Sequence, residues 1–328
     1  MRRNHFATFA WGVLLYNLLV VLWGVTVRAT SSGAGCGRHW PLCNGQVVPR
    51  AAEVETLVEF THRLSSGLAG LLVLAMLIWA FRAFPAGHAV RKGATFSLVF
   101  IIGEGAVGAM LVLFEWVGAN ASVARAVSMA LHLGNTFLLL SALALTAWGA
   151  TAIPAGNGGP ALHVRRQGNK PWLLGLGLLL LLVVSAAGAV TALGDTLFPP
   201  GTLAQGVARD FSPTAHFLER LRIWHPVLAV LSALYLFTLV GVLQAQAPRR
   251  ARALGHALQL LLVAQVTAGA VNVVLLAPVW LQLLHLLLAD AVWIALVLFS
   301  ATLLAAEGVA APRERVPDAG PVPTTGTD

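Results

Sequence analysis

Four histidines in this chain stand where histidine is expensive. His62, His132, His225 and His285 each fall inside a long apolar stretch, within about two helical turns of one end of it. An imidazole in hydrocarbon is costly and is a functional candidate by default. One alone would serve as a hydrogen-bonded tie between helices; four at matched depth, two in each half of the chain, are poorly explained that way. Two facing helices can each offer one imidazole to opposite faces of a flat macrocycle, and histidine is a standard ligand to haem iron. Ser65, Ser66, Gly67, Gly70, Gly134 and Ala229 are small enough to let such a ring approach. Zinc suits the pattern less, because a structural zinc site wants four ligands converging on one point. Quinone or proton chemistry uses histidine without needing pairs. His5, His39, His88, His163, His216 and His256 fall in loops, tails or helix ends and carry no assignment.

The text around the first histidine reads Glu59-Phe60-Thr61-His62-Arg63. Glu59 and His62 share one helix face. A carboxylate there could move protons or meet a carbocation; equally, it suits the positive end of a helix dipole. Arg63 suits a haem propionate or a lipid phosphate. Glu104 and Asp290 read as protonated or hydrogen-bonded inside the bundle rather than as catalytic groups. The preceding loop carries the only cysteines, Cys36 and Cys43, in Gly-Cys-Gly-Arg-His-Trp-Pro-Leu-Cys-Asn-Gly. The spacing is not that of a C-x-x-C pair. A loop staple and a redox-active pair near a haem edge stand level.

The elements that must position these groups follow from composition. Of 328 residues, 58% are hydrophobic and 10% charged, against about 25% charged in a soluble domain. Eight apolar runs are long enough to span a bilayer: Phe6–Val27, Leu57–Phe81, Ala94–Phe114, Val123–Trp148, Trp172–Leu193, Leu221–Leu243, His256–Ala277 and Leu281–Leu304. Their lack of polar alternation argues against a transmembrane barrel. The first run is too long for a signal peptide and is read as a helix. Of the 21 Lys and Arg residues, 13 fall on one side, which the positive-inside rule makes cytoplasmic together with both termini. The basic residues sit in short loops, so the high charge reflects topology and not nucleic-acid binding.

The two halves resemble each other. His62 and His225 are 163 residues apart, as are Leu18-Leu19-Val20-Val21 and Leu181-Leu182-Val183-Val184; Glu104 and Gly108 precede Gln265 and Gly269 by 161; His132 and His285 differ by 153. The expectation is an all-α membrane protein of eight transmembrane helices, built as two parallel four-helix repeats about an axis along the membrane normal. Residues 1–148 form the first bundle with its outer cysteine loop, 149–170 a cytoplasmic linker, 171–305 the second bundle, and 306–328 a disordered cytoplasmic tail rich in Pro and Gly.

The cysteine-loop motif, the Glu-x-x-His-Arg start of the second helix and three further helix histidines in a four-plus-four chain resemble the haem A synthase family, over roughly residues 8–305. The resemblance implies oxidation of the ring C8 methyl of haem O to a formyl group, making haem A for aa3-type cytochrome oxidase in the cell (inner) membrane. It implies that His225 and His285 hold a haem b cofactor, that His62 and His132 form the substrate haem site, that Glu59 matters for catalysis, and that Cys36 and Cys43 form a disulfide. It also implies a haem O synthase as upstream partner. No flavin or nicotinamide fingerprint is present, so an external electron-transfer partner is expected. The chain departs from the family pattern in two places: the outer loop 194–220 lacks the second cysteine pair of some members, and His225 is followed by Pro226 where His62 is followed by Arg63. Two rival readings use the same features: a non-catalytic di-haem b electron carrier, which needs neither Glu59 nor the cysteine loop, and a transporter, which would place its charged residues at the midplane.

Overall fold

The computed structural model describes residues 2–50, 53–151 and 167–306. These form ten α-helices: α1 (Arg2–Ala29), α2 (Val54–Ala83), α3 (Ala89–Leu113), α4 (Val123–Thr151), α5 (Lys170–Leu197), α6 (Leu203–Asp210), α7 (Phe217–Leu221), α8 (Trp224–Gln244), α9 (Arg249–Val274) and α10 (Val279–Ala306). With α7 and α8 counted as one segment, eight are long and apolar enough to cross a membrane. The chain is an all-α, multi-pass membrane protein. Most of the linker and tail expected at 149–170 and 306–328 lies outside the described residues.

The apolar runs locate the spans but not their ends. The seventh span, α9, begins at Arg249, seven residues before the run read from hydropathy, because Arg249, Arg250 and Arg252 are good helix formers that happen to be charged. It stops at Val274 because Leu276 and Ala277 take positive φ values of 59° and 55°. Ala277 N–H then reaches back to the Asn272 carbonyl at 2.8 Å and Leu275 N–H to Val271 at 2.9 Å, satisfying carbonyls that the helix end leaves open. α3 closes with the same hydrogen bonds but one left-handed residue in place of two: Trp116 N–H bonds Leu111 O at 2.8 Å, Phe114 N–H bonds Met110 O at 3.1 Å, and Glu115 has φ 55°. Each of these atoms is 161 residues from its counterpart in α9, the offset already separating Glu104 from Gln265.

Helices α1 to α4 pack in sequence and α4 returns against α1; α5, α8, α9 and α10 close a second ring in the same way. The rings meet along α4, α5, α10 and α1. With no hydrophobic drive between helices in lipid, packing and hydrogen bonds must hold this seam. Trp293 of α10 is its anchor. The indole is 1% exposed, stacks on Phe137 of α4 at 4.9 Å, and donates to Phe137 O at 2.6 Å and Ser141 Oγ at 2.8 Å. A Trp293→Phe variant keeps the stacking but loses the donor, with an expected cost of about 1–3 kcal/mol. A lowered denaturation midpoint in detergent would register it; an unchanged midpoint would show that the seam does not depend on this bond.

The sixth span is broken where the second is continuous. Pro226 has no N–H to return to Arg222 and its ring crowds that carbonyl, so the chain turns at Arg222 and Ile223 between α7 and α8. His225 therefore sits in the first turn of a helix, whereas His62 lies more than two turns inside α2.

Candidate functional site

A single cavity of about 1850 Å³ opens between the two rings, and His62, His132, His225 and His285 all line it. A site for one drug-sized ligand is about 300–1,000 Å³, so there is room for more than one large planar molecule. The wall is mainly Leu, Val, Ala and Gly, with Arg28, Glu59, Arg125 and Arg222 among its charged groups.

In the second ring the histidine pair has its geometry set by neighbours. The His225 and His285 ring centres are 6.3 Å apart with planes at 89°. An imidazole nitrogen lies about 2 Å from a first-row metal ion, so two imidazoles on opposite sides of one ion would have ring centres roughly 6 Å apart. His225 Nδ1 lies 3.1 Å from the Val184 carbonyl of α5. A carbonyl only accepts, so Nδ1 carries the proton and Nε2 of the neutral ring is the free ligand atom. Gln265 Nε2 lies 3.4 Å from His285 Nε2, and His285 Nδ1 is buried without a partner.

Glycines on adjacent helices make space for three of the four rings. A Cβ on Gly188 would lie 2.9 Å from His225 Cε1, one on Gly269 3.0 Å from His285 Cε1, and one on Gly24 3.1 Å from His62 Cε1. Gly188→Ala should therefore rotate His225 away from Val184 and weaken whatever the pair holds by about 10–100-fold, as loss of an orienting contact does. Titration of the purified variant with haemin would measure this; an affinity equal to wild type would show that the ring has slack. Gly108, which the sequence pairs with Gly269, has open space where its Cβ would be. The partner of His132 is instead Glu104, whose Oε2 lies 3.0 Å from His132 Nδ1. Asn135 donates to Glu104 Oε1 at 2.6 Å, and Thr136 lies within 3.2 Å of both oxygens. Glu104 is thus hydrogen-bonded within the bundle, as the sequence suggests, but as the neighbour of a site histidine. Its counterpart beside His285 is the uncharged Gln265.

Glu59 is a second point of asymmetry. Its carboxylate is almost fully buried and lines the cavity. Oε2 accepts from the Cys36 backbone N–H at 2.8 Å, and Oε1 accepts from Arg63 Nε at 3.1 Å and from Arg63 Nη2. Arg63 Nη1 donates to the carbonyls of His39 at 2.5 Å and Leu42 at 2.6 Å. Cys36 and Cys43 are joined in a disulfide, and Thr56 Oγ1 ties the Gly35 carbonyl to α2 at 2.8 Å. Glu59 and Arg63 together clasp the stapled loop over His62, which leaves Arg63 little capacity for the propionate or phosphate that its position suggests.

The offset of 163 that relates His62 to His225 also relates Glu59 to Arg222. At equivalent places, then, one ring carries a carboxylate and the other a guanidinium. Arg222 is buried and bonds Asp210 at 3.0 Å, Asp195 at 3.1 Å and the Phe198 carbonyl at 3.3 Å. Burial pushes the Asp210 carboxyl above its ordinary range, and Arg222 opposes that rise. These contacts fasten α6, whose Leu203 and Val207 line the cavity, over the second ring. The loop without cysteines is held by ion pairs. His216, assigned nothing from sequence, caps α7 together with Glu219.

Two further arginines, Arg28 and Arg125, stand on the cavity wall. Arg28 Nη1 donates to Ala192 O and Thr196 Oγ1, both at 2.7 Å, and Nη2 to Gln282 Oε1 at 2.6 Å, linking α1 to α5 and α10. Arg125 donates to the Gly118 and Asn120 carbonyls at 2.6 and 2.8 Å. Asp290 stands apart. It is fully buried, does not line the cavity, and neither oxygen has a hydrogen-bond partner among the described residues.

An all-helical membrane protein with paired histidines facing one apolar cavity is the class that this geometry defines. The chain belongs to the COX15-CtaA family, cytochrome oxidase assembly protein, whose model matches residues 7–297. It is 52% identical over 281 residues to a protein named protoheme IX farnesyltransferase in Thermus thermophilus, a match covering 85% of this chain and 45% of that protein. It is 41% identical over 137 residues to the heme A synthase of Geobacillus kaustophilus, covering 42% of this chain and 41% of the relative. With the heme A synthase of an Exiguobacterium species it shares 32% identity over 190 residues, 58% and 59% of the two chains. The chain spans about half the length of the curated relatives it matches.

Proposed function

We propose that this chain is a haem A synthase, oxidising the C8 methyl of haem O to a formyl group to supply haem A for cytochrome oxidase. The observation that carries the reading is the His225–His285 pair, spaced at 6.3 Å across the cavity with His225 Nδ1 tied to Val184. Those two residues hold a haem b, which when bound supplies one-electron chemistry. His62 and His132 hold the substrate haem beneath the stapled loop. The charge pattern supports this division of labour: the Glu59 carboxylate lines the cavity above His62, and the Glu104 carboxylate touches His132, while the second ring has Arg222 and Gln265 in the corresponding places. Glu59, on the wall of the cavity that His62 lines, would supply the acidic group of the substrate site. Taking the methyl to a formyl group adds one oxygen atom, from water or dioxygen, and an external electron-transfer partner exchanges the electrons that the oxidation requires.

In this reading residues 1–148 and 171–305 are two parallel four-helix repeats, joined by a linker at 149–170 and followed by a tail at 306–328. The matched ends of α3 and α9 support the repeat. The excess of Lys and Arg in one set of loops supports a cytoplasmic side for both termini, in the cell membrane. The Thermus relative, named a farnesyltransferase and more than twice as long as the match, supports a haem O synthase as the upstream partner.

Purified in detergent, the protein is expected to carry haem b with the spectrum of a bis-histidine centre. A preparation without haem, or one whose haem has a single histidine ligand, would contradict the assignment of His225 and His285.

A further inference from the structure

Arg28 and Arg125 are cations that no carboxylate touches among the described residues. All five of their hydrogen-bond acceptors are neutral: three backbone carbonyls, the Thr196 hydroxyl and the Gln282 amide oxygen. Arg125 is 4% exposed and its Nε has no partner. The charges that act on Arg28 are Asp195, already engaged by Arg222 at 3.1 Å, and Arg125 itself, which repels it. Two guanidiniums near each other in a low-dielectric wall are costly unless an anion completes the site.

Their position says which anion. Arg28 follows by one turn Gly24, the residue against which the His62 ring packs. Arg125 precedes His132 by seven residues, two turns outward on the same helix face. Both line the cavity that holds His62 and His132. Both cations thus line the same cavity as His62 and His132, at the end where α1 leads into the cysteine loop and α4 begins, with the Arg28 guanidinium held against α5 and α10.

We infer that Arg28 and Arg125 form an anion clamp for the propionate carboxylates of the porphyrin bound between His62 and His132. The inference rests on the haem reading of that histidine pair. The clamp fixes which edge of the ring points outward, and so which edge lies beneath the stapled loop and Glu59. Guanidinium suits the task because it binds carboxylates through charge-assisted, often bidentate hydrogen bonds.

The test is a ligand-by-variant cycle on the full chain in detergent. Haemin and haemin dimethyl ester, which lacks the two carboxylates, are titrated into wild type, Arg125→Gln, Arg125→Lys and Arg28→Gln, with uptake followed by the Soret band. Wild type should bind the free acid at least about tenfold more tightly than the ester. Arg125→Gln and Arg28→Gln should lose that preference and bind the ester as wild type does, and Arg125→Lys should keep part of it. An unchanged preference in both glutamine variants overturns the clamp. Equal weakening of acid and ester overturns it too, since that is what a purely structural role would do. Failure of the underlying site reading looks different: haem uptake by wild type would then be indifferent to His62→Ala and His132→Ala, whatever the arginines do.

Discussion

Replacing His225 or His285 with alanine is expected to abolish haem b binding and, with it, haem A formation. The effect should exceed about 100-fold, because loss of a ligand is more severe than loss of a group that merely orients one, which costs about 10–100-fold. The two variants should fail alike although their surroundings differ. His225 sits in the first turn of a helix that begins only because Pro226 breaks the span, with its Nδ1 held by Val184; His285 lies inside α10 with Gln265 beside it. The spectrum of the purified variants measures the loss directly. Retention of a bis-histidine spectrum in His225→Ala would show that another residue serves and that the pairing is wrong.

Glu59→Ala should be nearly as damaging, by a different route. The substitution removes the acceptor for Cys36 N–H and the carboxylate paired with Arg63, leaving a mostly buried guanidinium uncompensated. Breaking one side of such a pair typically costs about 3–5 kcal/mol. The disulfide and the Thr56–Gly35 bond remain, so the cost should appear as local opening of residues 35–47 and not as global unfolding. Hydrogen exchange would show faster exchange of the Cys36 amide, and haem A formation should be lost while the His225–His285 haem stays. Glu59→Gln separates the two roles, because an amide oxygen still accepts from Cys36 but brings no carboxylate to the cavity. If Glu59→Gln retains both the loop and full activity, the carboxylate is only a clasp.

Much of the arrangement was legible in the residues themselves. Histidine in hydrocarbon is conspicuous, so His62, His132, His225 and His285 stood out, and each lines the one cavity described above. The eight spans followed from hydropathy, with end errors where helix-forming arginines extend α9 or where left-handed residues close it. The contacts between helices were less accessible. In helices apolar on nearly every side, periodicity does not say which face meets which neighbour, so Gly24, Gly188 and Gly269 could not be seen to seat the rings. The same limit hides which neighbours Arg28 and Arg125 meet. The Glu59–Arg63 pair is readable as an i,i+4 spacing, but the other Arg63 partners, the His39 and Leu42 carbonyls, are backbone atoms of a loop whose path no side-chain pattern reveals. Some of this could have been found. Carrying the offset of 163 one turn further would have set Glu59 against Arg222, and the offset of 161 already placed Glu104 opposite Gln265, the two substitutions that make the rings chemically unequal.

The most direct test of the central claim is to co-express the full chain with a haem O synthase, purify it in detergent, extract the haems and separate them by chromatography. The account predicts haem A together with haem b, and loss of the haem A alone in Glu59→Ala and His62→Ala. Haem b as the sole extracted species, with neither haem O nor haem A under active expression, would contradict it and make the protein a di-haem electron carrier.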